Sequence, residues 1–244
     1  MSMERKALGG AVAVFLVSAA AQAGMIEGPG LEVSLAVGGQ TVLDFTADPD
    51  GQKGSTFSYG GLASADDWML DWDAIADPDP FVNAGIVLTN NSGMTQTFTF
   101  TVILPIAPAV TPASLIGGTI QGGVTGDAGG GTVSSVGSDP IYRAIVDGGF
   151  VGAPAEMFSG RSVTVGAFQS GSFNPTEAFG NMPIPSAAGP AANTSIGIEL
   201  RFTLTPGDQA SFTSSFVLEI PSPGALALMG LAATALFGPR PRRR

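Results

Sequence analysis

Apolar and polar residues alternate with a period of two along much of the chain, the pattern of strands buried on one face. In "LEVSLAV" (31–37), Leu31, Val33, Leu35 and Val37 share a face opposite Glu32, Ser34 and Ala36. "TQTFTFTVIL" (95–104) sets Phe98, Phe100, Val102 and Leu104 against Thr97, Thr99 and Thr101. "SIGIELRFTL" (195–204) aligns Ile196, Ile198, Leu200, Phe202 and Leu204. "ASFTSSFVLEI" (210–220) aligns Phe212, Phe216, Leu218 and Ile220, with Ser214 interrupting the face. Less regular alternation marks further strands at 41–46, 55–62, 84–90, 114–124, 131–136, 141–146 and 161–168.

Turn chemistry separates these runs. "TNNSG" (89–93) links two strands, and "TPGDQ" (205–209) is expected to join the last two as a hairpin. "GGVTGDAGGGTVSSVGSDP" (122–140) reads as a long loop or a strand pair with a mobile tip, and "NMPIPSAAGPAAN" (181–193) as a surface connection. No internal repeat is present, and no stretch of the body keeps an apolar period of 3.6 over a helix length. The expectation is one domain over 24–220, an antiparallel β-sandwich of jelly-roll or immunoglobulin-like arrangement, with a barrel as its rival.

Composition narrows the chemistry. The 244 residues contain no Cys and no His, which removes disulfides, thiol nucleophiles, thiolate metal sites and the usual general base. Between 24 and 220 there are 19 acidic residues against four bases, Lys53, Arg143, Arg161 and Arg201, a net charge of −15. A field of that sign repels phosphate backbones, so nucleic acid is not an expected partner.

Both ends depart from the strand pattern. Arg5 and Lys6 precede an apolar run, Ala7–Ala20, and Ala21-Gln22-Ala23 is a small-x-small site; this is the order of a signal peptide over 1–23, cut by signal peptidase before Gly24. At the other end Gly224–Gly238 is uncharged, about 22 Å long as a helix and shorter than the roughly 30 Å hydrocarbon core. Arg240, Arg242, Arg243 and Arg244 follow it and favour the cytoplasmic side, which implies at least transient membrane insertion. Pro221-Ser222-Pro223, the apolar run and the arginine cluster together resemble the PEP-CTERM sorting signal of exosortase substrates, with Ser222 where that family usually has Glu. The resemblance implies export, recognition by an exosortase-type membrane enzyme, removal of 221–244, and a final place at the cell surface or outside the cell. The body's strand pattern is also similar to that of other exported proteins with such tails, which supplies the class and no activity.

One stretch of the body carries candidate chemistry. "DDWMLDWDAIADPDPF" (66–81) holds Asp66, Asp67, Asp71, Asp73, Asp77 and Asp79 and both tryptophans. Calcium takes six to eight oxygens, and these aspartates with Asn83 make a candidate calcium set, although the EF-hand spacing is absent. An acidic, solvated turn explains the same residues, because Asp-Pro pairs initiate turns. Trp68, Trp72, Tyr59 and Phe81 are candidate contacts for a sugar ring; core packing is their other reading. Paired carboxylates can cleave glycosides without His, but no spacing here fixes two across a cleft, so the chain is not expected to be an enzyme. The leading expectation is an exported structural or adhesive protein. A calcium-assisted carbohydrate-binding module, with exopolysaccharide as partner, is the alternative, and a carboxylate glycosidase comes third.

Overall fold

A computed structural model describes residues 15–16, 28–110, 114–182 and 184–219. The signal-peptide residues Ala21, Ala23 and Gly24 and the whole of 221–244 lie outside the described residues. Among those described there are strands and turns and no helix. The strands run in order β1 (Phe15–Leu16), β2 (Leu31–Val37), β3 (Gln40–Ala47), β4 (Gly51–Lys53), β5 (Thr56–Ala65), β6 (Trp68–Asp77), β7 (Phe81–Asn90), β8 (Gln96–Pro105) and β9 (Leu115–Thr125). After these come β10 (Gly131–Ser134), β11 (Tyr142–Val146), β12 (Gly149–Phe150), β13 (Glu156–Met157), β14 (Ser162–Val165), β15 (Ser170–Ser172), β16 (Glu177–Phe179), β17 (Ala187–Ala188), β18 (Ser195–Leu204) and β19 (Gln209–Glu219).

They form two antiparallel sheets packed together as a sandwich. The first has the order β1-β5-β6-β7-β19-β9-β15, with β4 also on β5 and with β16 and β17 on β9. The second has the order β12-β11-β18-β8-β2-β3, with β10 on β18, β14 on β10 and β13 on β11. The alternating apolar residues face inward as their period requires: Leu31, Val33 and Leu35, then Phe98, Phe100 and Val102, then Ile196, Ile198, Leu200 and Phe202 are fully buried. Rings bridge the sheets. Phe202 of the second lies 4.9 Å from Phe212 of the first, and the Tyr142 hydroxyl donates to the Ser215 carbonyl at 3.0 Å. Gly122 makes room for Phe212, since a Cβ there would lie 2.2 Å from the ring.

The "TPGDQ" turn does not close a hairpin. β18 and β19 lie in different sheets, so 205–208 crosses the sandwich, as 91–95 does between β7 and β8. The 126–130 and 166–169 segments cross at the same end, the former being the tip within the expected long loop, which also contains β10. These crossings are tied by backbone bonds: Asn90 N–H donates to the Asp208 carbonyl (3.0 Å), Gly207 N–H to that of Asn90 (2.7 Å), and Phe168 N–H to that of Asp127 (2.9 Å). Two wholly buried polar side chains, Asn90 and Asp208, sit at the centre of this knot.

Candidate functional site

The acidic stretch is a strand flanked by two turns, with three of its aspartates in each setting. Its alternation puts Trp68, Leu70, Trp72, Ala74 and Ala76 inward as β6 and leaves Met69, Asp71, Asp73 and Ile75 outward. Asp66 and Asp67 form the turn before β6; Asp77 ends it, and Asp79 lies in the turn to β7. Asn83 is on β7, in register with Ile75. A ten-residue strand spans about 33 Å. The expected seven-residue calcium set is therefore drawn out along the sandwich into two end groups and a central pair. Among the described residues no three acidic side chains gather as a metal cluster. Asp77 is engaged locally, accepting from the Ser55 hydroxyl (2.5 Å) and the Asp79 N–H (3.0 Å).

The rings expected to meet sugar are turned away from solvent. Trp68, Trp72 and Tyr59 are 1%, 3% and 2% exposed, because they occupy the inward phase of β6 and β5. They are core residues and offer no stacking face. Trp72 meets the Phe45 ring edge-on at 6.0 Å, joining the two sheets. The Tyr59 hydroxyl donates to the Pro29 carbonyl at 2.7 Å, and burial pushes its phenol up to about 12. Phe81 is half-buried at the start of β7, opposite Val217.

The outward side of this sheet is the surface on which the candidate residues that remain lie. Asp73 stands in register between Gly60 of β5 and Gly85 of β7, and its carboxylate leans over Gly85, where a Cβ would come within 2.5 Å. Leu62, Met69 and Ile75 are exposed around it. Farther along the same sheet, β9, β15 and β19 border a groove of about 440 Å³ lined by Gln121, Ser172, Thr176, Ser211 and Thr213. These hydroxyl and amide groups can exchange hydrogen bonds with an uncharged polar ligand, while the β6 carboxylates attract cations.

Opposite charges are used elsewhere. Arg143 reaches Glu199 (3.4 Å), Asp139 (3.9 Å) and Glu156 (4.0 Å); Arg201 pairs with Asp139 (2.8 Å) and Arg161 with Glu177 (3.2 Å). Burial raises the Glu199 carboxyl above its usual range, and Arg143 opposes the shift. Among the described residues no ion pair involves Asp66–Asp79. Asp147 is different again. Its carboxylate accepts from the backbone N–H groups of Asn193, Thr194 and Ser195 and from the Asn193 and Thr194 side chains. Led by the Thr194 N–H bond, these hold it well below the usual carboxylate range. Neither this clamp nor the Asn90–Asp208 knot is among the residues the sequence singles out; "TNNSG" at 89–93 and "TPGDQ" at 205–209 read only as turns.

No known protein family matches the chain, and no curated protein is similar to it.

Proposed function

We propose that this is an exported protein with a structural or adhesive role at the cell surface or in the extracellular matrix, delivered there through its C-terminal segment. The observation that carries the reading is the three-part tail: Pro221-Ser222-Pro223, the uncharged Gly224–Gly238 run and the four terminal arginines. The leader-like order of 1–23 supports it. The fold is compatible, since a two-sheet sandwich with a large aromatic core needs no disulfide to stand outside the cell. On this reading signal peptidase and an exosortase-type membrane enzyme are the processing partners, and the outward β5-β6-β7 surface is what the processed protein presents to its surroundings.

The intact mass of the protein recovered from its native envelope or secretion tests this. The expected mass begins at Gly24 and ends within 221–223, alone or with an adduct that identifies the surface partner. A mass retaining Arg240–Arg244 sinks the sorting reading and makes the tail a plain anchor. Deleting 221–244 is expected to move the body to another cell fraction, and an unchanged location speaks equally against the proposal.

A further inference from the structure

Strand direction sets which loops share an end of the sandwich. β19 runs from the crossing at 205–208 to Glu219, which is in register with Leu115 of β9, and Leu115 is in register with Ala188 of β17. The described chain therefore leaves the sandwich two strands away from the 181–194 connection. Three loops meet at this corner. Val110 exchanges backbone hydrogen bonds with Ala192 (2.7 and 2.9 Å), Gly189 N–H donates to the Ser114 carbonyl (3.0 Å), and Asn193 N–H donates to the Asp147 carboxylate (2.9 Å). None of the three segments, 106–114, 148–155 and 181–194, contains a charged residue. The last two enclose a hollow of about 400 Å³ lined by Phe150, Val151, Pro154, Ala188 and Pro190. Phe150 and Ile184 are 54% and 73% exposed. The acidic turns of the same end, 48–50 and 77–79, lie beyond β19 on the side of β5, β6 and β7. Met94 and Phe168 are also exposed, but at the opposite end, which carries Asp66, Asp67 and Asp127.

We propose that this uncharged corner rests on the lipid bilayer while the tail is inserted, with Phe150 and Ile184 in the headgroup region. The proposal rests on the membrane insertion of the tail in the reading above. Only Ile220–Pro223 separate Glu219 from the apolar run. Four residues span at most about 14 Å fully extended. The run is about 8 Å shorter than the hydrocarbon core, and its arginines hold it toward the cytoplasmic side, so more than half of that reach is used inside the membrane. The remaining length of about 6 Å is no more than the thickness of one headgroup layer. The end of the sandwich that carries Glu219 is thus held against the bilayer surface. Apolar side chains gain by entering the headgroup boundary, whereas carboxylates must give up water to do so. The domain therefore tilts onto the corner that lacks them. Asp147, at its border, already has its carboxylate engaged by Asn193, Thr194 and Ser195. A bilayer is also the one surface that the tail itself implies at this end.

The chain has no cysteine, so a single replacement carries a fluorophore at one known place. The protein, purified with its tail intact, is placed in phosphatidylcholine vesicles containing a lipid with a nitroxide on its headgroup, which quenches nearby fluorophores. Labels on Ile184→Cys and Phe150→Cys are expected to be quenched several-fold more than labels on Gln52→Cys, in the acidic half of the same end, and on Phe168→Cys, at the opposite end. Quenching of the first two no greater than that of Phe168→Cys overturns the proposal. Equal quenching of Gln52→Cys also overturns it, because closeness then comes from the tether alone. If Phe150→Cys fails to fold, the Ile184→Cys label decides by itself, since that side chain is mostly in solvent. A further label, on Ala232→Cys, is read against a nitroxide on the acyl chain. If it is not quenched, the tail is outside the membrane and the export reading loses its insertion step. The corner is then decided by the same Phe150→Cys and Ile184→Cys labels, whose quenching supports it and whose lack of quenching refutes it.

Discussion

Replacing Asn90 tests whether the buried polar knot holds the crossings together. Its side chain is 0% exposed and its hydrogen-bonding capacity is filled. Nδ2 donates to the carbonyls of Leu204 (2.8 Å) and Met94 (3.0 Å), while Oδ1 accepts from the Ser92 N–H (3.0 Å) and hydroxyl (2.7 Å). Asn90→Ala removes all four bonds and strands the buried Leu204 carbonyl. The groups nearer the surface recover water, so the loss is well short of four full bonds. One stranded buried group at roughly 1–3 kcal/mol, plus about 1 kcal/mol for the remainder, gives about 2–4 kcal/mol. For a domain of this size that lowers Tm by roughly 5–15 °C.

Asn90→Asp separates hydrogen bonding from packing. It keeps the volume and both acceptors but replaces the donor to Leu204 with a carboxylate oxygen facing a carbonyl. It is expected to cost at least as much as Asn90→Ala, because a buried charge held only by the Ser92 N–H and hydroxyl, with its other oxygen set against two carbonyls, is expensive. Urea unfolding of the processed wild type and both variants, followed by fluorescence of the buried tryptophans, gives the three stabilities. If Asn90→Asp lies within about 0.5 kcal/mol of wild type, the donor bonds contribute little and the reasoning is wrong.

Three further outcomes are expected. Gly122→Ala places a Cβ 2.2 Å from the Phe212 ring and 2.8 Å from the Ser211 carbonyl, and is expected to destabilise by about 1–3 kcal/mol, whereas Gly93→Ala, with open space around it, stays near wild type in the same unfolding assay. Asp147→Asn keeps a residue that tolerates the positive φ of 50° but removes the charge held by three backbone N–H groups. The folded carboxyl is depressed, so its stabilisation is present above the unfolded pKa of about 3.9 and fades as pH falls through the folded value. The variant is therefore expected to be less stable than wild type at pH 7 and to converge with it in strong acid; a gap independent of pH refutes the assignment. Changing Asp71 and Asp73 together to Asn relieves two like charges on one strand face, raising stability by a few tenths of a kcal/mol at low salt and by nothing measurable in 1 M salt.

Much of the sandwich is legible in the sequence because its strands bury one face, and period two then survives as text. Leu31–Val37 and Ser195–Leu204 have the bounds their alternation implies. The same signal runs through Trp68, Leu70, Trp72, Ala74 and Ala76, yet the aspartates between them read as turn chemistry. Those aspartates are outward residues of a strand, and strand pleat, not local clustering, sets their spacing. The misplaced hairpin has a different cause. A four-residue turn can reverse the chain within a sheet or carry it to the facing one, and "TPGDQ" contains no residue that chooses. The choice comes from distant partners: Asp208 accepts the Asp127 N–H across 81 positions at 2.9 Å and also bonds the Thr205 hydroxyl. Asn90 contacts the Leu204 carbonyl across 114 positions. Such pairings are products of the fold and leave no local trace.

The two processing points expected from the sequence bear differently on this architecture. β19 is an interior strand, paired with β7 through Val217↔Phe81 and with β9 through Glu219↔Leu115. A cut within 221–223 falls just beyond it and leaves its pairings and the inward Phe212, Phe216 and Leu218 in place. Removal of the tail can therefore change where the protein resides without changing what holds it folded. The N-terminal cut is not neutral in that way. Leu31 opens β2 well beyond Gly24, so the second sheet would keep its strands, but the pairing of Phe15 and Leu16 with β5 would go with the proposed leader. On the proposed processing, the C-terminal cut would set location and the N-terminal cut would uncover Ser64 and Ala63 of β5.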